Sequence, residues 1–234
     1  MSENLFEVPP APQVDSRSIV ERGEIIEAIP LGGGAVTAIV SFKEGGQAFF
    51  YPNNSGIYPV AAQVIGSLEM AALWIDRLLG FNLIPASAIR PVNDQGGLLS
   101  EVVKGARLGL YYQAWEEMVQ PQEIMKAAVL DYILDSRDRR KENFLIDESS
   151  HRIWLINNDY YMLLAALNSR DIFNTAVNRG LTDLSEDMLA AIDKFYAGLP
   201  SLLERAKEKE VLDVLSRAQA RARTLLDKKS IANI

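Results

Sequence analysis

The sequence predicts an α+β fold in two lobes, a small β-rich N-terminal lobe carrying one helix and a mainly helical C-terminal lobe. Three observations predict it. First, β-branched and aromatic runs, Val36 to Phe42 and Ala48 to Tyr51, are separated by glycine-rich turns at Gly32–Gly34 and Gly45–Gly46, the pattern of antiparallel strands. Second, the stretch YPVAAQVIGSLEMAALWIDRLLG changes to helical spacing. Third, after Gly105 almost every segment has a helical period, apart from one alternating stretch, NFLIDESSHRIWLIN.

Taken in order, residues 1 to 20 are Pro-rich and polar and read as an extended arm. The N-terminal lobe is expected over 21–104. Its helix places Val64, Leu68, Ala71, Ala72, Ile75, Leu78 and Leu79 on one stripe, and Gly80 is the natural stop. FNLIPASAIRPV and GGLLSEVVKG read as two further strands. The helical lobe, over 105–234, begins with the amphipathic PQEIMKAAVLDYILDS. The alternating stretch then forms a hairpin with Asp147 to His151 at its turn. Helices follow around Leu163 to Ala166 and in the two long segments after Thr182, with Thr182 and Ser201 as N-caps. The RAKEKE and RAQARAR charges read as a solvated helix face. Trp74, Trp115 and Trp154 are expected in packed positions.

Composition narrows the function classes. The chain has 234 residues, 48% hydrophobic and 24% charged, which suits one large domain or two small lobes. Its net charge of −7 argues against a nucleic-acid partner, which calls for a basic footprint. There is no cysteine, so disulfides and zinc-thiolate sites are excluded. The first residues have neither the basic start nor the apolar core of a signal peptide. No run approaches the ~18 apolar residues of a membrane helix. The expectation is a cytoplasmic protein with no integral membrane segment.

The chemistry is concentrated in DSRDRRKENFLIDESSHRIWLINNDYY. Asp138, Arg139 and Asn143 stand just before one strand of the hairpin, and Asn157, Asn158 and Asp159 just after the other. A carboxylate and an amide oxygen on one short loop are hard oxygen donors and can serve a hydroxyl and a metal together. Surface turns are the competing reading of the same residues.

In these motifs and their order the chain resembles the atypical kinases related to the phosphoinositide 3/4-kinases, especially their small bacterial relatives. The resemblance covers about Ile29 to Tyr161. DRRKEN matches the family's Asp-Arg-His-x-x-Asn, with Arg140 in the place of the His. LEMAALWIDRLLGFNLIP looks like the family's helix and strand, and LGGGAV sits where a phosphate-covering turn belongs. The resemblance implies a protein-kinase-like fold with ATP and magnesium as cofactors. It also implies a nucleotide and a hydroxyl acceptor (protein, lipid or small molecule) as partners. Asp138 and Arg139 become the candidate catalytic residues, with Asp138 orienting the attacking hydroxyl. Gly32, Gly33, Gly34, Tyr51, Glu69, Glu101 and Val103 become the nucleotide-site candidates, and Asn143, Asn157 and Asp159 the metal candidates. Alternation along an extended segment puts Asn157 and Asp159 on one face and turns Asn158 away.

Two positions depart from the family. Tyr51–Pro52 stands where the family has Lys-Pro, and tyrosine carries no positive charge at neutral pH. Asn157 aligns with the Asp of the family's Asp-Phe-Gly triplet. Lys43 lies one strand earlier, beside a turn. Arg107, Tyr111 and Tyr112 follow the inferred hinge, and His151 sits in the hairpin turn away from the chemistry. Three readings stay open: an active phosphotransferase, a pseudokinase serving as a nucleotide-binding or interaction module, and an α+β interaction protein unrelated to kinases.

Overall fold

The computed structural model describes residues 15–31, 38–53, 61–158, 169–206, 209–232 and 234. Helix α1 (Ser16–Arg22) is capped by Asp15, whose side chain accepts from the Arg17 N–H. A five-stranded antiparallel sheet follows, built from β1 (Ile25–Pro30), β2 (Ala38–Phe42), β3 (Gln47–Pro52), β4 (Ser87–Val92) and β5 (Gln95–Glu101) in the spatial order β1-β2-β3-β5-β4. Alternation decides which residues go inward. Ala38, Val40 and Phe42 of β2 and Ala48 and Phe50 of β3 are buried, while their sequence neighbours are less so. They form a small apolar core with Val20, Ala86, Ala88, Val92 and Leu99. The β4–β5 hairpin turns on Asn93 and Asp94, both at positive φ, as a tight two-residue turn requires.

Between β3 and β4 runs α2 (Ala61–Leu79), ended as expected by Gly80 at φ 69°. Its described buried stripe includes Leu68, Ala71, Ala72, Ile75 and Leu79. These residues belong to the large core shared with the later helices. Asp76 breaks the apolar stripe. It is fully buried and accepts from the backbone N–H groups of Leu83 and Ile84, both at 3.0 Å, which fastens the helix end to the segment entering β4. Burial pushes its carboxyl up to about 6, against the pull of those two N–H groups.

The helical part contains α3 (Trp115–Met118), α4 (Pro121–Leu134), α5 (Asp171–Asn178), α6 (Glu186–Arg205) and α7 (Lys209–Lys228). Proline at the first position starts α4, and ten of its residues are buried, which makes it the central helix. The predicted hairpin is present as β8 (Phe144–Asp147) and β9 (Arg152–Leu155), joined by β6 (Arg107–Leu108) in a three-stranded sheet ordered β6-β8-β9. Gly109 follows β6 directly under the Phe144 ring, where a Cβ would collide with it. A short parallel pair, β7 (Asp138–Arg139) with β10 (Ser169–Arg170), sets Arg170 opposite Arg139. No described helix is long and apolar enough to cross a membrane.

Four local expectations need correction. Residues 16–20, read as part of an extended arm, belong to helix α1, and Val20 joins the sheet core. Helix α6 is capped by Ser185, which accepts from Met188 N–H; the carbonyl of Thr182 instead receives Ser230 Oγ and Ile231 N. Ser201 caps nothing, because α6 runs straight through Pro200. Buried Ile192, Phe195 and Leu199 hold the helix against a proline penalty of ~3 kcal/mol. Trp74 is 36% exposed, unlike Trp115 at 2%. The helix expected around Leu163 to Ala166 lies outside the described residues.

Candidate active site

The site is assembled where α4 ends. Asp135 takes the left-handed conformation at φ 58°, and the chain turns through Ser136 and Arg137 into β7. Arg139 is then swallowed by the protein, with 1% of its surface exposed. Its guanidinium meets Asp131 of α4 at 2.9–3.1 Å and the carbonyls of Asn143 and Ile156 at 2.6 and 2.9 Å. It also donates to the Asn158 side chain at 2.7 Å. A planar five-donor group suits such a junction, since it can serve carboxylate, carbonyl and amide acceptors at once. Burial pushes the Asp131 carboxyl upward, and the charge and hydrogen bonds of Arg139 oppose it.

Asn158 extends the network to α2. Its backbone N–H and its amide Nδ2 donate to the two carboxylate oxygens of Glu69, at 2.8 and 2.9 Å. Asp131, Arg139, Asn158 and Glu69 therefore form one buried polar chain linking α4, β7, the segment after β9 and α2. A charged network at this depth holds only when every member is partnered.

Asp138 lies beside this chain at 1% exposure. Asn143 Nδ2 donates to its carbonyl at 2.6 Å and lies 3.3 Å from its Oδ2. Arg140, half-exposed, brings its Nε to 2.6 Å from Asp138 Oδ1. That contact is an ion pair without hydrogen-bond alignment, since Oδ1 has no well-directed donor among the described residues. Asn157 is exposed and donates to Asn143 Oδ1 at 3.1 Å. The structure thus brings Asp138, Asn143 and Asn157 together, as the motif spacing implied.

The other candidates are placed as follows. Glu69 is buried and engaged by Asn158. Tyr51 is half-buried on β3, cross-strand from Leu98. Glu101 ends β5, and its carboxylate accepts from the Ala86 N–H at 3.2 Å. Val103 is half-buried in the turn that follows, where its carbonyl accepts from Ala106. Gly32, Gly33, Gly34 and Asp159 lie outside the described residues. Lys43 is a surface residue paired with Glu24 at 2.6 Å. His151 is in the hairpin turn, with Nδ1 2.9 Å from the Met118 carbonyl.

One expectation is overturned. Asn157 has φ 55°, so the extended alternation after β9 stops there, and Asn158 is buried in the network rather than turned away. Asp131 and Asn158 were missed as network residues. Only Asp131 left a trace in the sequence, as a lone charge inside the apolar run AAVLDYIL.

No protein-family model matches the chain, and no curated protein matches it by sequence. Solved structures do match. The crystal structure of the Golgi casein kinase superposes with a TM-score of 0.53 at 12% identity, over 90% of this chain and 74% of that one. The crystal structure of the Helicobacter pylori proinflammatory kinase CtkA gives 0.51 at 13% identity, over 88% and 98%. The fold, an antiparallel sheet followed by a helical part, is kinase-like, and this removes the reading of an unrelated α+β architecture.

Proposed function

We propose that this kinase-fold protein is an ATP- and magnesium-dependent phosphotransferase acting on a hydroxyl acceptor. The observation that carries the reading is the pairing of Asp138 with Asn143 at the mouth of the β8–β9 hairpin. Phosphoryl transfer asks a protein for a positioned nucleophile and neutralised phosphate charge, with little covalent help. Asp138 is the group that orients the acceptor hydroxyl and takes its proton. Arg139 touches no reacting atom in this reading and is a positioning residue for the loop. The nucleotide would lie under Gly32, Gly33 and Gly34 with its base near Glu101 and Val103, and Tyr51 and Glu69 on its phosphate side.

The donors suit magnesium in kind, because amide and carboxylate oxygens are hard ligands. Asn143 and Asn157 would hold the ion, with Asp159 supplying a carboxylate. No three acidic or histidine side chains cluster among the described residues, so the site depends on Asp159. When bound, the ion neutralises phosphate charge. A cation between Asn143 and Asn157 requires the Asn157 amide to present its oxygen where it now presents its nitrogen.

A second reading, a pseudokinase, has its own support. Arg140 already neutralises Asp138, Glu69 is engaged by Asn158, and Tyr51 stands at the lysine position. Each missing charge would remove several kcal/mol of transition-state stabilisation, by analogy with the ~2.7–4 kcal/mol lost with one oxyanion donor.

Thermal unfolding with ATP, with and without magnesium chloride, followed by an ATP-turnover assay, decides between them. The phosphotransferase reading expects ATP with magnesium to raise the melting temperature. It further expects Asp138→Asn to abolish turnover without changing the melting temperature of the free protein. Binding without turnover favours the pseudokinase, and undiminished turnover in the variant removes Asp138 from its role.

A further inference from the structure

Where α4 ends and the chain turns toward β7 lies a cavity of about 240 Å³. Its charged lining is unusual for so acidic a chain. Arg137, Arg170 and Arg221 converge on it from three separate elements: the loop before β7, the end of β10 and the middle of α7. Against them stands Asp135, 3.2 Å from Arg137 Nε, 2.8 Å from Arg221 and 4.0 Å from Arg170. Asp131, also in the lining, pairs with Arg139 and feels the charge of Arg170 as well. Three guanidinium groups thus line one cavity of a protein of net charge −7, with Asp135, Asp131 and Ile234 beside them. Burial raises the Asp135 carboxyl, but Arg137 and Arg221 outweigh that and hold it below the usual carboxylate range. Asp135 therefore stays charged and neutralises only part of the pocket.

The arginines are also held in place. The Arg170 guanidinium sits 5.9 Å from the Phe173 ring and that of Arg221 6.0 Å from the Tyr132 ring. Arg170 Nε is buried without a hydrogen-bond partner among the described residues. Ser136, 4% exposed, lines the same cavity; its hydroxyl is near enough to Asp131 to favour the carboxylate but is not aligned as a hydrogen bond. Arg170 Nε is therefore a buried donor that lacks an acceptor among the described residues.

We propose that this cavity is a binding site for a phosphate group, held by the guanidinium groups of Arg137, Arg170 and Arg221. Planar forks matched to tetrahedral oxygens make arginine the residue for this task. The volume corresponds to roughly eight waters at ~30 Å³ each, space for the phosphate and part of a small ester. The aromatic walls at Tyr132 and Phe173 would border the ester. Occupancy bears on the neighbouring site: Arg137 precedes Asp138, and Arg170 is the register partner of Arg139. A phosphate bridging the two would brace β10 against β7. The proposal stands whether or not the chain transfers phosphoryl groups.

The test is titration calorimetry and thermal unfolding with inorganic phosphate and with glycerol 3-phosphate, in the low millimolar range and with ionic strength held constant with sodium chloride. The expected result is a saturable rise in melting temperature, unlike the non-saturating effect of excluded salts. Binding should weaken by about tenfold or more in Arg137→Gln and in Arg221→Gln. It should tighten in Asp135→Asn, which removes the competing anion and which a purely structural role for the cluster does not predict. Arg137→Gln, at the more exposed arginine, keeps the test open if Arg221→Gln does not fold. Whichever of the two probes binds more tightly identifies free phosphate or an ester as the ligand type. Absence of saturable binding by both, equal binding by the wild type and the arginine variants, or weaker binding by Asp135→Asn overturns the proposal.

Discussion

The core under the five-stranded sheet and the interior around β7 bury their residues equally well by different means. The sheet core is an apolar cluster, from Val20 on α1 through Val40, Phe42 and Phe50 to Leu99. Around β7 the deepest side chain is Arg139, and its neighbours are Asp131, Asn143 and Asn158. Apolar burial is non-directional and roughly proportional to area, so one lost contact is one lost contact. A buried polar network is directional and mutually dependent, so removing one member strands the others. The same chain thus holds a region that degrades gradually beside one that fails at a single substitution, and the candidate active site is built on the second.

The largest test of that contrast is Arg139→Ala. It leaves Asp131 buried without its partner and should cost about 3–5 kcal/mol in denaturant unfolding. Adding Asp131→Asn should recover part of the loss; no recovery would mean that the damage lies in the orphaned carbonyls of Asn143 and Ile156. In the apolar core, Leu99→Ala should cost about 2–5 kcal/mol by cavity formation, with no such rescue by a neighbouring change.

Acid titration of stability sharpens the comparison through Asp76, a charge inserted in the otherwise apolar α2 interface. Its folded value of about 6 lies above the ordinary 3.8. Between these limits the folded chain retains a proton that the unfolded chain has released, so stability falls as pH rises through the window and levels off above it. Measured against Asp76→Asn, the decline should total up to about 3 kcal/mol. A rise with pH instead would show that the two N–H bonds to Leu83 and Ile84 outweigh burial. The smallest effect is expected at the surface. Lys43→Ala breaks a pair whose partners are 64% and 61% exposed, and it should shift unfolding by no more than about 1 kcal/mol. A larger shift there would blur the line between solvated and buried charge on which the comparison rests.

Much of the architecture was legible along the chain because it is carried by local periodicity. The alternation in β2 and β3, the stripe on α2, Gly80 as its stop and the β8–β9 hairpin all follow from the spacing of residues a few positions apart. Legibility failed where packing overrode a local signal. Pro200–Ser201 reads as a helix start, yet α6 passes through it because its apolar face continues beyond the proline with the half-buried Leu202 and Leu203. In the site, the approach of Asn143 to Asp138 was readable from a spacing of five residues. The partnership of Asn158 with Glu69, separated by 89 residues, was not. Nor was the left-handed turn at Asn157 that rotates Asn158 inward.

The amino-acid order alone determined the element types, the strand and helix faces and the loop that carries Asp138 and Asn143, since each depends on side chains that are neighbours in the chain. Only the folded structure decided that Arg139 is sealed inside the protein while Arg140 stays half-exposed, and that Arg137, Arg170 and Arg221 meet around one cavity. The physical reason is that burial and charge pairing depend on distance in space. Adjacent arginines in DRRKEN look alike until Asp131 of α4 and Asn158 after β9 choose between them.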